Sequence, residues 1–502
     1  MCGIVGICGK CDEETVRTMM NRMVHRGPDG QGIRLESERP VVLGHRRLAI
    51  MDPAGGDQPI SSDDGHYAIV ANGEIYNFAS LRSRLEDHYR FRTHSDSEAA
   101  LALYAERGTE CVADLDGMFA FAIADGDDLF VARDPIGIKP LYFGRVGGNY
   151  TFASEIKVLI DIAKDITEFP PGSWFHSRYG IRSYYEVPYR EPMDRTVEEH
   201  IALLRKNLEQ AVTKRLMSNV PLGAFLSGGL DSSIIAALVR PYVNELHTFS
   251  VGIEGSRDLE AARAAARHLD TIHHEYVLKA DEVAVSLPKI LYHLESFDQD
   301  LVRSAIPTYF TARLASDEVK VILTGEGADE LFAGYGYYTS YEDPALLHLE
   351  LRRSVQSLHN INLQRVDRMT MAHSVEGRVP FLDTNMVELA QTIPPQLKLY
   401  RNGNSRAVEK WVLRKAFEDI LPAEILWRDK EQFDEGSGTV DLLAEVVERW
   451  MPAAEAKRYL RHHPIADLRS PEECLYHKLL CEAYSDPVPI INTVARWTDR
   501  SV

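Results

Sequence analysis

No stretch of this 502-residue chain stays apolar for anything near the ~20 residues a helix needs to cross a bilayer, although 45% of its residues are hydrophobic. No membrane partner is therefore expected. Cysteine is scarce and scattered, at Cys2, Cys8, Cys11, Cys111, Cys474 and Cys481, which excludes the disulfide framework of a secreted scaffold and points to a reducing cytoplasm. Positive charge is in deficit. Lys and Arg number 56 against 75 Asp and Glu, a net charge of −19 whose field repels a phosphate backbone, so nucleic acid is not an expected partner. The start, Met1-Cys2-Gly3-Ile4-Val5-Gly6, has no basic segment before an apolar run and no cleavage site, so no signal peptide is expected.

What is present is enough for two cores, since a single core stops growing near about 250 to 300 residues. From residue 2 to 185, short strand-like runs (Cys2 to Ile7, Tyr67 to Asn72, Met118 to Asp125, Leu129 to Arg133) alternate with helical patterns at Glu13 to Met23 and Ser97 to Arg107. That texture predicts an α+β layered domain, with antiparallel sheets sandwiched by helices. Residues 186–195 carry two prolines and five charges and read as a linker, and Thr196-Val197-Glu198-Glu199 has capping-box spacing. Over residues 196–502 the pattern becomes βα alternation: Leu222 to Leu226 then Ser232 to Arg240, Leu246 to Ile253 then Asp258 to His268, Val319 to Leu323 then Asp329 onward. An α/β parallel-sheet domain with a mostly helical part from about Leu346 is expected.

Two places carry chemistry on their own. Removal of Met1 would put the thiol of Cys2 beside an α-amine with a pKa near about 8, a nucleophile that carries its own base. Thiolate attack on a carboxamide releases ammonia and leaves a thioester for water. Leu226-Ser227-Gly228-Gly229-Leu230-Asp231-Ser232-Ser233 follows an apolar strand and opens a helix, where bare N–H groups and the helix dipole hold an anion. No Gly-x-x-x-x-Gly-Lys-Ser/Thr run occurs, so the loop is not the kind that serves γ-phosphoryl transfer.

In order along the first half stand Cys2-Gly3-Ile4-Val5-Gly6, His25-Arg26-Gly27-Pro28-Asp29, Arg46-Arg47-Leu48-Ala49-Ile50, Asn72-Gly73-Glu74-Ile75-Tyr76-Asn77, Ser95-Asp96-Ser97-Glu98, Leu115-Asp116-Gly117-Met118-Phe119-Ala120 and Arg133-Asp134-Pro135-Ile136-Gly137. Together they resemble the class II glutamine amidotransferases, over essentially the whole first domain. The resemblance implies Cys2 as nucleophile and Asn72 with the Gly73 N–H as oxyanion donors. It further implies Arg47 as the fork for the glutamine α-carboxylate and Glu74 and Asp96 as partners of its α-ammonium.

The second half resembles the AMP-forming ligases with a pyrophosphate loop, in Ser227 to Ser232 and in Thr324-Gly325-Glu326-Gly327-Ala328-Asp329-Glu330. Four further blocks resemble the asparagine synthetase family: Leu294-Glu295-Ser296-Phe297-Asp298, Val302-Arg303-Ser304-Ala305-Ile306-Pro307, Glu376-Gly377-Arg378-Val379-Pro380-Phe381-Leu382-Asp383 and Trp427-Arg428-Asp429-Lys430-Glu431-Gln432-Phe433. By that resemblance ATP is bound by Leu226, Ser227, Gly228, Gly229, Asp231, Ser232, Val251, Thr324 and Gly325. Mg²⁺ is held by Asp231 and Asp329. Glu326 assists adenylate formation and deprotonates the attacking ammonia, Arg378 and Lys430 stabilise phosphate charge, and Arg303 meets the acceptor carboxylate.

The implied reaction joins aspartate, ATP, glutamine and water to give asparagine, glutamate, AMP and pyrophosphate, with ammonia passing between the halves, since in water it would be protonated. Another small carboxylic acid as acceptor is the alternative reading. An amidotransferase serving a sugar or phosphoribosyl partner domain, and a silent nitrogen sensor, are two more. A homodimer is compatible with the sequence. Minor signals carry less: Cys8-x-x-Cys11 lacks a second pair for zinc, Cys474 and Cys481 fit a packed helix face, and His273-His274 is expected to end a strand without a metal partner. After Phe433 the family pattern is followed less clearly.

Overall fold

The computed structural model describes residues 2–9, 13–35, 40–401, 407–429, 436–463 and 466–496. In the first half the described strands are β1 (Gly3–Cys8), β2 (Gly30–Arg34), β3 (Val41–Arg47), β4 (Ile60–Ser61), β5 (Tyr67–Ile75), β6 (Gly117–Asp125), β7 (Asp128–Arg133), β8 (Tyr142–Val146), β9 (Asn149–Ala153), β10 (Lys164–Glu168), β11 (Ser173–His176) and β12 (Gly180–Ser183). They form two antiparallel sheets, ordered β10-β8-β9-β1-β3-β2 and β12-β11-β7-β6-β5-β4.

Alternation along the strands explains the layering, because successive side chains leave opposite faces of a sheet. Ile4 of β1 joins Val70, Ala120, Ala122 and Leu129 in the layer between the sheets. Its neighbours Val5 and Ile7 turn outward onto Met19 and Met20 of the helix Glu13–Asn21. On the far side, Ile69, Phe119 and Phe121 pack against Leu101 and Tyr104 of the helix Asp96–Arg107. The expected sandwich of sheets between helices is what forms.

The capping box of Thr196 and Glu199 closes at the start of the helix Val197–Lys214. Beyond it, β13 (Leu222–Phe225), β14 (His247–Gly252), β15 (Ile272–Val277), β16 (Val321–Leu323) and β17 (Glu376–Arg378) build a parallel sheet ordered β15-β14-β13-β16-β17. The chain leaves β13 for β14 on one side and later returns as β16 on the other. Strand order therefore reverses at β13, and a crevice opens at the carboxyl ends there, where open α/β sheets take their ligands. The expected α/β half with a helical C-terminal part is present. His273 and His274, expected to end a strand, lie instead near the start of β15, one and two residues after Ile272.

The helix Asn362–Met371, every residue of which is buried, lies between the halves. From it Asp367 accepts two hydrogen bonds from Arg26 of the first half, at 2.7 and 3.0 Å. No described helix is long and apolar enough to cross a membrane.

Candidate functional site

Cys2 lies at the foot of β1, and Asn72, Gly73 and Glu74 lie on β5 of the facing sheet. The Cys2 N–H donates to Asn72 Oδ1 at 2.9 Å, and its thiol points to the Leu48 carbonyl at 3.9 Å. Burial pushes the thiol up from its ordinary range, so forming the thiolate calls for a local base. Asn72 is fully buried. Its oxygen is taken by the Cys2 N–H, and among the described residues its Nδ2 has no hydrogen-bond partner, leaving an unspent N–H donor on the side chain that holds Cys2. Only glycine fits at 73: a Cβ there would sit 2.0 Å from the Met118 carbonyl oxygen of β6.

Behind the thiol lie three buried carboxylates, two of which share one guanidinium. Arg378 holds Glu376 at 2.6 Å and Glu74 at 3.3 Å. Glu376 is buried too, yet the chain's N-terminal charge, Arg378 and Lys139 keep it ionised, at about 2. Glu74 takes the proton of the pair, since burial and the charges of Glu376 and Asp96 push it well above the usual carboxylate range. Burial likewise lifts Asp96 from 3.8 to about 6, although the Ile75 N–H donates to it at 2.7 Å. Glu74 Oε2 has no hydrogen-bond partner among the described residues. A ligand ammonium arriving here would meet unspent acceptor capacity and would favour ionisation of both acids. Arg47 stands at the rim with its fork engaged by Asp57 at 2.8 Å and by the Pro53 and Asp52 carbonyls at 3.1 and 2.7 Å.

The second cluster occupies the crevice at β13. The loop Leu226 to Gly229 leads into the helix Leu230–Val239, whose N-cap, Gly229, brings no side chain across its free N–H groups. Ser232 Oγ accepts from the Ser227 N–H at 3.2 Å, and Ser227 Oγ accepts from the Gly229 N–H at 3.3 Å, which shapes the turn. Gly228 adopts φ +71° with its Cα pressed on the helix Arg257–Leu269, where a Cβ would lie 2.3 Å from Ala261. From the end of β16, Thr324, Gly325, Glu326 and Asp329 enter the same cavity. Asp231 and Asp329 converge on Lys410 Nζ at 2.5 and 2.6 Å. Two carboxylates that meet at one cationic point also suit a hard divalent ion.

Residues 1–206 match the family model for the glutamine amidotransferase domain, and residues 203–347 and 340–480 match that for asparagine synthase. Asparagine synthetase B [glutamine-hydrolyzing] of Escherichia coli (strain K12) is 38% identical over 518 residues, covering 97% of this chain and 92% of that protein. The chain belongs to the asparagine synthetase family. A plant relative, asparagine synthetase [glutamine-hydrolyzing] 2 of Arabidopsis thaliana, is 41% identical over 463 residues, covering 87% of this chain and 79% of its own.

Several residues stand elsewhere than the asparagine synthetase resemblance implied. Arg378 does not line the cavity of the glycine-serine loop. It is fully buried, donates to Glu376 and to the Arg215 and Met217 carbonyls at 2.6, 2.5 and 2.6 Å, and forms an ion pair with Glu74 at 3.3 Å. Arg303 is bound through two nitrogens to Glu472, at 2.9 and 2.7 Å, whereas its neighbours Asp300 and Ser304 reach the cavity. Val251 is buried in an apolar cluster next to Ser250, which is the residue on the wall. Gly228 supports the loop from behind. Lys430 and Cys11 lie outside the described residues.

Sequence reasoning missed three groups. Lys410 gave no local signal, yet its backbone is held at φ +54°, a conformation that costs free energy for a lysine and marks a position fixed by its surroundings. Arg365 pairs with Glu326. Arg26 donates to the Cys2 carbonyl at 3.0 Å while gripping Asp367. The last two were hidden because they act across the fold: the helix Asn362–Met371 presents Arg365 to one cluster and Asp367 to the other.

Proposed function

We propose that the chain is a glutamine-hydrolysing asparagine synthetase: it takes the amide nitrogen of glutamine and attaches it to the side-chain carboxylate of aspartate, with ATP cleaved to AMP and pyrophosphate. The observation that supports it is that two clusters, a buried thiol next to a carboxamide with an unspent N–H and a glycine-serine turn with paired carboxylates, are bridged by one buried helix. The family relationship supports the same reading at both ends of the chain.

In this reading the Cys2 thiol, deprotonated by its own α-amine after loss of Met1, attacks the glutamine carboxamide. Asn72 Nδ2 and the Gly73 N–H take the oxyanion, and ammonia leaves behind a thioester that water hydrolyses. Glu74 and Asp96 hold the α-ammonium, and Arg47, released from Asp57, holds the α-carboxylate. At the other cluster, the N–H groups of Ser227 to Ser232 bind phosphate, and Thr324 and Gly325 close the nucleotide side. Asp231 and Asp329 would hold Mg²⁺, which supplies charge neutralisation for the departing pyrophosphate. Lys410, which bridges these acids, would turn its ammonium to the phosphates. Glu326 then takes a proton from the incoming ammonia as it attacks the aspartyl adenylate. Ammonia passes beneath the helix Asn362–Met371, sheltered from water. Cytoplasmic residence and a homodimer belong to the same proposal.

The test is direct. With aspartate, glutamine, ATP and Mg²⁺, asparagine and AMP should form in equal amounts; absence of AMP sinks the reading. AMP formed with another carboxylic acid but not with aspartate would favour the alternative acceptor.

A further inference from the structure

At the opposite end of the parallel sheet from the glycine-serine loop, His247 opens β14 and His274 lies on neighbouring β15. The register pairs Phe249 with His274, so His247, two residues earlier on the same strand face, reaches the same spot. The two rings meet at their nitrogens: His247 Nδ1 and His274 Nε2 are 3.0 Å apart. Glu318, in the connection between the helix Gln299–Ala315 and β16, brings a carboxylate oxygen to 4.0 Å from His247 Nδ1. All three donor atoms lie within 4.8 Å of one another.

We infer that His247, His274 and Glu318 form a binding site for a transition-metal dication of the Zn²⁺ type, separate from the proposed reaction centre. Two imidazole nitrogens and one carboxylate are the donor set such an ion prefers over Mg²⁺. Bonds of about 2.0 to 2.1 Å in a tetrahedral arrangement need donor separations of roughly 3.3 Å. The nitrogens are already near that spacing, and the exposed Glu318 side chain needs only a short swing. At 3.0 Å one N–H lies between the rings, and binding would shift that proton to the far nitrogen of the same ring, leaving both facing nitrogens as neutral lone-pair donors. Phe249 stacks on His274 at 4.9 Å and 15°, backing the ring with an apolar wall. Water would take the fourth position.

The site ties together the starts of β14 and β15 and the end of the helix Gln299–Ala315. At its other end that helix supplies Asp300, Leu301 and Ser304 to the cavity wall, and Phe249 itself lines the cavity. A metal here would therefore stiffen the frame of the nucleotide crevice from outside.

Metal-stripped protein in excess Mg²⁺ should be titrated with Co²⁺, following the visible ligand-field bands. One equivalent should give bands of a nitrogen–oxygen site without the intense near-ultraviolet absorption of a cobalt thiolate. Zn²⁺ should displace it. His247→Asn and His274→Asn should each weaken binding by roughly tenfold or more, and Glu318→Gln by about tenfold. No bands, thiolate bands alone, or unchanged affinity in the double histidine variant would overturn the inference. Should a histidine variant fail to fold, as judged by circular dichroism, Glu318→Gln at its exposed position decides: unchanged affinity rejects the site.

Discussion

At residue scale, the thiol and the carboxamide beside it are separable in experiment. Cys2→Ala should abolish glutamine-dependent synthesis, by more than about 10³-fold, while synthesis from added ammonia persists; release of glutamate and formation of asparagine, measured in parallel, check both halves of the statement. Asn72→Ala should cut glutamine hydrolysis by about 10² to 10³ in kcat, the usual cost of one lost oxyanion donor. Asp96 gives a pH signature. Its folded pKa, about 6, lies above the ordinary 3.8, so its burial lowers stability as pH rises through that window, and the acid becomes a partner for an ammonium only above it. The KM for glutamine should therefore rise as pH falls below about 6, and an Asp96→Asn variant should bind weakly with a flatter profile.

At the scale of elements, the strongest constraint is the close approach of β5 and β6. Gly73→Ala would drive a methyl group against the Met118 carbonyl, and the strands should part at a cost of about 1 to 3 kcal/mol, read by thermal unfolding. The elements themselves were legible in the sequence because their boundaries are chemical: β1 ends near the expected Ile7, the Thr196 cap sits where its spacing put it, and β13, β14 and β16 each run into a turn that contains glycine before their helices. The glutaminase cluster was legible for a related reason, since Asn72, Gly73 and Glu74 are consecutive on one strand. What sequence could not give is whatever depends on register or on a distant helix. His247 meets His274 only through the parallel pairing of β14 with β15, and Lys410 meets Asp231 and Asp329 only after the chain has folded back. Arg378 shows the same limit in reverse, for its motif is present but its side chain turns toward the first half.

At the scale of the whole molecule, the halves are joined by buried charge. Arg26 touches the Cys2 carbonyl, Glu155 and Asp367, and Glu295 of the second half meets Lys157 of the first at 3.2 Å. Removing one member strands the others in a low-dielectric interior, where a broken buried pair costs about 3 to 5 kcal/mol. Arg26→Met should lower the thermal midpoint and raise the ratio of glutamate released to asparagine formed. An unchanged ratio would show that Arg26 serves stability alone.

Arg378 has its side chain among the carboxylates behind Cys2, while its backbone carbonyl accepts the Thr324 N–H at 2.9 Å, where β16 hands over to the loop with Glu326. A single peptide unit is thus mortised into both workshops. Grafting the amide-splitting half of a distant cousin onto this ligase half would leave that joint cut for a different tenon, and such chimeras should need residues 376–378 refitted before nitrogen stops leaking from the product.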